Sequence, residues 1–138
     1  MGAGRHPGGL GASLGALALL HAQRTAGAPF AGLLLQSGSF FQTGLDAQEG
    51  GHPRFERMTT FVAGTVAGPA PGGDAAVPVT VTCGAVEENL ANNEAMAAAL
   101  AAQGHPARLV LGRDAHNWVA WRDLLDPHLV DLLPRCWP

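Results

Sequence analysis

"GLGASLGALALLH", residues 9–21, sets a serine between two glycines and follows it with an apolar run. From Leu14 to about Ala26 the spacing predicts a helix, with Leu14, Leu17, Ala18 and His21 on one stripe and Thr25-Ala26-Gly27 ending it. Ser13 would then sit on a sharp strand-to-helix turn, where a side chain at either flanking glycine would collide with adjacent backbone. With 3 serines and 19 glycines among 138 residues, a chance match is uncommon. The competing reading is a glycine-rich loop with an incidental serine. Such a turn also needs a strand feeding into it. Residues 1–12 are mostly glycine and other small or turn-forming residues, so no long buried strand is expected there, and "PGGLGA" supplies at most a stub.

Downstream, Pro29 opens "FAGLLLQSG", a run that suits a strand buried on both faces. Residues 39–76 carry weaker signals. Phe55, Met58, Thr59 and Val62 have helical spacing near 53–64, and "AGPAPGGDAA" is a loop. "VPVTVTCG" alternates Val77, Val79, Val81 and Cys83 on one face, which predicts a strand. "EENLANNEAMAAALAAQG" reads as a helix with Leu90, Met96, Ala97 and Leu100 inward, acids in its first turn and Gly104 at its C-terminal cap. "ARLVLG" is a further strand, and Trp118, Trp121, Leu125, Leu129 and Leu132 mark one closing helix. Strands alternating with helices predict an α/β fold with a parallel sheet covered by helices. The expected organisation is one partial domain over 1–138, with 42–76 as a loop or cap-like insertion.

Composition narrows the function classes. Apolar residues make up 47% and charged residues 14%, which excludes a disordered charged tail. The net charge is −3 and all 8 cations are scattered arginines, so no footprint for nucleic acid is present. No apolar stretch is long enough for a membrane span, and the N-terminus lacks the pattern of a secretory leader. The expected location is the cytoplasm, with Cys83 and Cys136 reduced.

In open parallel sheets, reactive groups collect where strands end. Ser13 is the first candidate there, with the Leu14 amide opening the helix toward a developing oxyanion. "CGAVEEN" offers Glu87, with Glu88 beside it, as a carboxylate to orient an imidazole. The alternative is that these acids serve the helix dipole. "GRDAHNWVAW" puts His116 in the last strand-to-helix loop, within reach of a general-base role. Ser13, Glu87 and His116 follow the chain order serine, acid, histidine. The other histidines suit structural places: His105 in a turn, His21 and His128 in helices, His6 and His52 in loops. Asp114 and His116 are ligand types for a metal, but no ligand spacing supports a metal site, and no phosphate or dinucleotide loop is present, so no cofactor is expected. Trp118 and Trp121 suit either the core or a stacking surface for an aromatic ligand.

Taken together, four stretches resemble the C-terminal part of the α/β-hydrolase esterases that include enterochelin (siderophore) esterases and esterase D. "GASLGALALLHA" is similar to the nucleophile elbow and its helix, and "GLLLQSGSFF" to the following strand with its Gln-Ser-Gly-Ser ending. "CGAVEENLANNEAMAAAL" resembles the acid loop and helix, and "GRDAHNWVAWRDLL" the histidine loop. The resemblance runs from about residue 5 to the end, apart from the middle insertion. It implies a partial α/β-hydrolase fold, the C-terminal half, with Ser13 as nucleophile, His116 as general base and Glu87 as acid. Where the family commonly has Gly-Gly-His-Asp, this chain has Asp114-Ala115-His116-Asn117. The family's first strands, and the loop that gives the second oxyanion amide, have no counterpart here.

Two functions follow as expectations. One is a serine ester hydrolase acting on a small-molecule ester, either a ferric-siderophore ester or a simple acyl ester. The other is a weak or inactive piece of a hydrolase that needs a further portion and pairs with another chain through an exposed sheet edge.

Overall fold

Leu33, Leu34 and Leu35 define the centre of the molecule, because alternate residues of a strand point to opposite faces and all three are fully buried. Leu33 and Leu35 join one apolar cluster and Leu34 another, so this strand has packed layers on both sides. Each such leucine contributes roughly 1.5–3 kcal/mol on burial. The structure, a computed structural model, describes residues 6–73 and 75–138. Expectations for residues 1–5 and for Asp74 of the predicted loop lie outside the described residues.

In chain order the elements are β1 (Gly8–Ala12), α1 (Leu14–Thr25), β2 (Gly32–Gln36), a 3-10 turn (Ala47–Glu49), α2 (Phe55–Ala67), β3 (Val79–Gly84), α3 (Leu90–Ala102), β4 (Ala107–Gly112), α4 (Trp118–Asp123) and α5 (His128–Cys136). Among the described residues the sheet has four parallel strands in the order β1-β2-β3-β4. Gly8 pairs with Gly32, Leu33 with Val79 and Val79 with Ala107. Helices α1, α2 and α3 cover one face through Leu17, Leu20, Val62, Met96 and Leu100. On the opposite face, Leu132 and Cys136 of α5 pack on Leu34. This is the parallel, two-sided α/β arrangement expected from the alternation of elements.

Several local expectations need correction. One holds: the stub of strand expected ahead of Ser13 forms as the five-residue β1. Helix α1 turns Ala16, Leu17, Leu20 and Gln23 inward, whereas Leu14 is 46% exposed and His21 faces out. The segment is apolar on nearly every side, so its periodicity does not choose a face; the sheet does. No acid occupies the first turn of α3, since Glu87 and Glu88 precede it and Glu87 folds back to accept the Gly84 N–H at 2.7 Å. The C-terminus of α3 closes as expected: Gly104 N–H donates to Ala101 O and His105 N–H to Leu100 O, the paired bonds of a Schellman motif. The closing helix is two helices, α4 and α5, parted at Leu124–Pro127. Pro127 brings no amide N–H and disfavours helical backbone at Asp126. Within 42–76, the helix expected near 53–64 forms as α2, shifted two to three residues toward the C-terminus, and buries Thr59, Val62 and Thr65.

Candidate active site

Parallel strands in register end at one rim of the sheet, and each of the four carries its polar loop there. Ser13 follows β1 directly. Its backbone, at φ 55° and ψ −124°, lies in a sparsely populated region, the strain expected of a serine forced onto a sharp turn. Bonds on both sides hold it: Ser13 N–H donates to Gln36 O at 2.9 Å, and Ser13 O accepts from Ser39 N at 3.2 Å. Gly11 is required for this turn, because a Cβ there would lie 2.7 Å from the Gly15 carbonyl. Gly15 is not required, since a Cβ there meets nothing within 4 Å; the expectation of a collision at both glycines holds for one of them. The Leu14 amide opens α1 and so belongs to the first turn, whose N–H groups have no carbonyl acceptor within the helix.

The β3 and β4 loops complete the rim. His116 Nε2 lies 3.0 Å from Ser13 Oγ, and His116 Nδ1 lies 2.8 Å from Glu87 Oε2. A carboxylate only accepts, so Nδ1 is the donor to Glu87, and in the neutral imidazole Nε2 then presents its lone pair to the serine hydroxyl. Ser13 therefore spends its proton on His116, and the neighbouring Ser39 hydroxyl, 3.1 Å away, donates to Ser13 Oγ. The Glu87 side chain is fully buried, while that of His116 is 41% exposed. Glu88 is exposed beside them, so of the two adjacent acids only Glu87 reaches the imidazole. Gly84 allows this approach, because a Cβ there would collide with the Asp114 carbonyl of the loop that carries His116.

Sequence reasoning missed the groups that hold Glu87. Its Oε1 accepts from Gly84 N–H and from Ser37 Oγ, both at 2.7 Å. Ser37 Oγ in turn accepts from Trp121 Nε1 at 3.0 Å, and Gln36 Nε2 donates to Trp121 O at 2.8 Å. Ser37 has φ 46°, and two asparagines of the α3 start clamp its loop: Asn89 Nδ2 donates to the Ser37 and Gly38 carbonyls, and Asn93 bonds both Gly38 O and Gly38 N–H. The signals were a Gln-Ser-Gly-Ser strand end and an asparagine pair on a helix that is otherwise alanine-rich. Trp118 is 80% exposed, so the core reading fails for it; it sits edge-on to Trp121, whose ring meets His116 at 5.1 Å and 88°.

Cys83 is the other nucleophile type near this rim. Burial, reinforced by the Glu87 charge, pushes its thiol up to about 12, so it stays protonated and unreactive at neutral pH. Cys136 is also buried and free. Two depressions of about 590 Å³ each flank Ser13. Leu10, Leu14, Trp118, Trp121 and Leu125 line one; Ser39, Asp46, Glu49, His52, Glu88 and His116 line the other. Among the described residues, no helix is long and apolar enough to cross a membrane.

This fold is the partial α/β-hydrolase arrangement, and the solved structures it matches include esterases and serine hydrolases. An S-formylglutathione hydrolase (FrmB) from Staphylococcus aureus matches with a TM-score of 0.65 at 14% identity, over 96% of this chain and 54% of that one. FphF, a fluorophosphonate-binding serine hydrolase of Staphylococcus aureus, gives 0.63 at 13% identity, over 96% and 57%. A ferulic acid esterase gives 0.62 at 18% identity, over 89% and 48%. The chain thus spans about half the length of these structures. No protein-family model and no curated protein matches the sequence.

Proposed function

We propose that the chain carries the reaction centre of a serine ester hydrolase. Ser13 Oγ attacks the ester carbonyl while its proton passes to His116 Nε2. Glu87 holds the imidazole tautomer and stabilises the imidazolium, and the Leu14 N–H donates to the oxyanion. Collapse breaks the bond to the alcohol, whose oxygen takes the proton from His116. Water then attacks the acyl-enzyme, gives a proton to His116, and Ser13 leaves with that proton as the acid is released. The observation that carries this reading is the continuous bond path from Ser13 Oγ through His116 to Glu87, at 3.0 and 2.8 Å. No metal or cofactor has a step in it.

For the substrate, a ferric-siderophore ester and a simple acyl ester remain the two classes. The half-buried Glu49 and exposed Glu88, which line a depression shared with Ser13, disfavour an anionic ferric chelate and favour a neutral acyl ester. A cytoplasmic location belongs to the same proposal.

A second reading is a weak or inactive piece of a hydrolase that needs a further portion. The place of β1 at the sheet edge, with Leu10 47% exposed, favours it, since an edge strand offers backbone for pairing with another chain. Loss of one oxyanion donor costs about 10²–10³ in turnover. One experiment separates the two: the folded chain is treated with a fluorophosphonate probe and assayed on a chromogenic ester, beside Ser13→Ala. Labelling and turnover that vanish in Ser13→Ala support the hydrolase. A folded chain that neither labels nor turns over supports the second reading, and labelling that survives in Ser13→Ala removes the serine from the mechanism.

A further inference from the structure

The two depressions beside Ser13 differ in chemistry, and the imidazole lies in the wall of only one. His116 borders the more polar of the two, where Ser39, Asp46 and His52 stand among apolar Phe41 and Val86. The other is walled by Leu10 of β1, Leu14 of α1, Trp118 and Trp121 of α4, and Leu125. Ser13 and Leu14 border both. In ester cleavage the departing oxygen must be the atom that takes the imidazole proton, so the alcohol portion belongs on the His116 side. The acyl portion stays bonded to Ser13 Oγ and must extend the other way.

We infer that the apolar depression is the acyl subsite and that it takes a medium-chain or aryl-alkyl acyl group, with a polar, uncharged alcohol on the opposite side. This rests on the proposed reading of Ser13 and His116. Two features bear on it. Trp118 is 80% exposed at the mouth of the depression, a large apolar cost in water that a bound acyl chain relieves. Trp118 and Trp121 meet edge to face at 5.1 Å and 76°, which leaves ring surface available to a further apolar or aromatic group. Arg122 also lines the depression, and its exposed guanidinium pairs with the adjacent Asp123 at 2.7 Å.

The test compares 4-nitrophenyl acetate with 4-nitrophenyl octanoate and 4-nitrophenyl 3-phenylpropanoate, in the wild-type chain and in Trp118→Ala. Trp118 is largely exposed, so its truncation spares the core. The expected result is a kcat/KM at least about tenfold higher for the two larger acyl groups than for acetate, the effect of burying about two methylenes. Trp118→Ala should reduce that ratio by about fivefold or more. A ratio near one in the wild type, or a ratio unchanged by Trp118→Ala, overturns the subsite. Concentration-dependent association in sedimentation that Trp118→Ala abolishes also overturns it, and gives the surface to a second chain. If no ester is turned over and Ser13 takes no fluorophosphonate, the hydrolase reading fails by itself. The subsite is then judged by equilibrium dialysis of octanoate with Ser13→Ala: saturable binding weakened at least fivefold by adding Trp118→Ala keeps it, and no saturable binding removes it.

Discussion

Ser37 offers the sharpest test of how the carboxylate is held, because its hydroxyl joins two elements that share no other polar link in the bond path. Ser37→Ala removes one of the two donors to Glu87 Oε1 and leaves the Trp121 indole N–H without its acceptor. A hydrogen bond to a charged group is worth about 1.5–3 kcal/mol, and an orphaned N–H costs about 1 kcal/mol at the half-buried Trp121. The expected loss is therefore about 3 kcal/mol, a large share of the roughly 5–15 kcal/mol that holds a small domain together. Alanine keeps the Cβ at φ 46°, so backbone strain is the same in both chains. Trp121→Phe removes the other end of the bond and keeps an aromatic ring. Urea unfolding of the wild type, both single variants and the double variant gives the coupling energy. We expect about 1 kcal/mol between the two sites, in the sense that the second substitution costs less after the first. Additivity within about 0.3 kcal/mol would show that the hydroxyl does not bridge the indole and the carboxylate. A Ser37→Ala loss below about 0.5 kcal/mol would refute the role given to the buried bond.

Other outcomes follow from single contacts. Gly11→Ala should destabilise the chain by about 1–3 kcal/mol in urea through collision with the Gly15 carbonyl, whereas Gly15→Ala, in an open helical position, should stabilise it by up to about 1 kcal/mol; equal effects would refute the close approach at the turn. Glu87→Gln should lower kcat on a chromogenic ester by about 10³–10⁴, and Glu88→Gln far less; a reversed order would shift the orienting role to Glu88. Because burial raises the Cys83 thiol, the folded state holds that proton more tightly than the unfolded chain. The associated stability is present below 9.0, the thiol's ordinary value, and drains away as pH rises from there toward about 12. Urea midpoints should therefore fall above pH 9, and Cys83→Ala should flatten that fall; an unchanged slope would refute the assignment. Cys83 should also resist iodoacetamide at pH 8 in the folded chain.

The elements were largely legible in the amino-acid order because their signals are local. The Leu33–Leu35 run, the valine alternation of β3 and the Gly-x-Ser-x-Gly turn each act over a few residues, so backbone preference and side-chain spacing suffice to read them. Ser13, Glu87 and His116 could likewise be singled out one by one from their places at strand ends. Three things needed the assembled chain. The inward face of α1 was one, since a helix apolar all round takes its orientation from the sheet beneath it. The break between α4 and α5 was another: Pro127 signals it locally, but apolar spacing runs on across it, and the folded chain shows the two helices apart.

The support of the site was the third. Ser37, Asn89, Asn93 and Trp121 come from three loops and helices, and their sequence neighbours give no sign that their polar atoms converge on one carboxylate and on the Ser37–Gly38 loop that binds it. Local order along the chain set which segments became strands and which became helices, and it marked where reactive side chains would fall. Only packing in three dimensions selected Glu87 over the adjacent Glu88 as the imidazole's partner. That choice depends on which side chain of a turn points into a buried cluster of donors, and donors from distant segments exist as a cluster only after the sheet has formed.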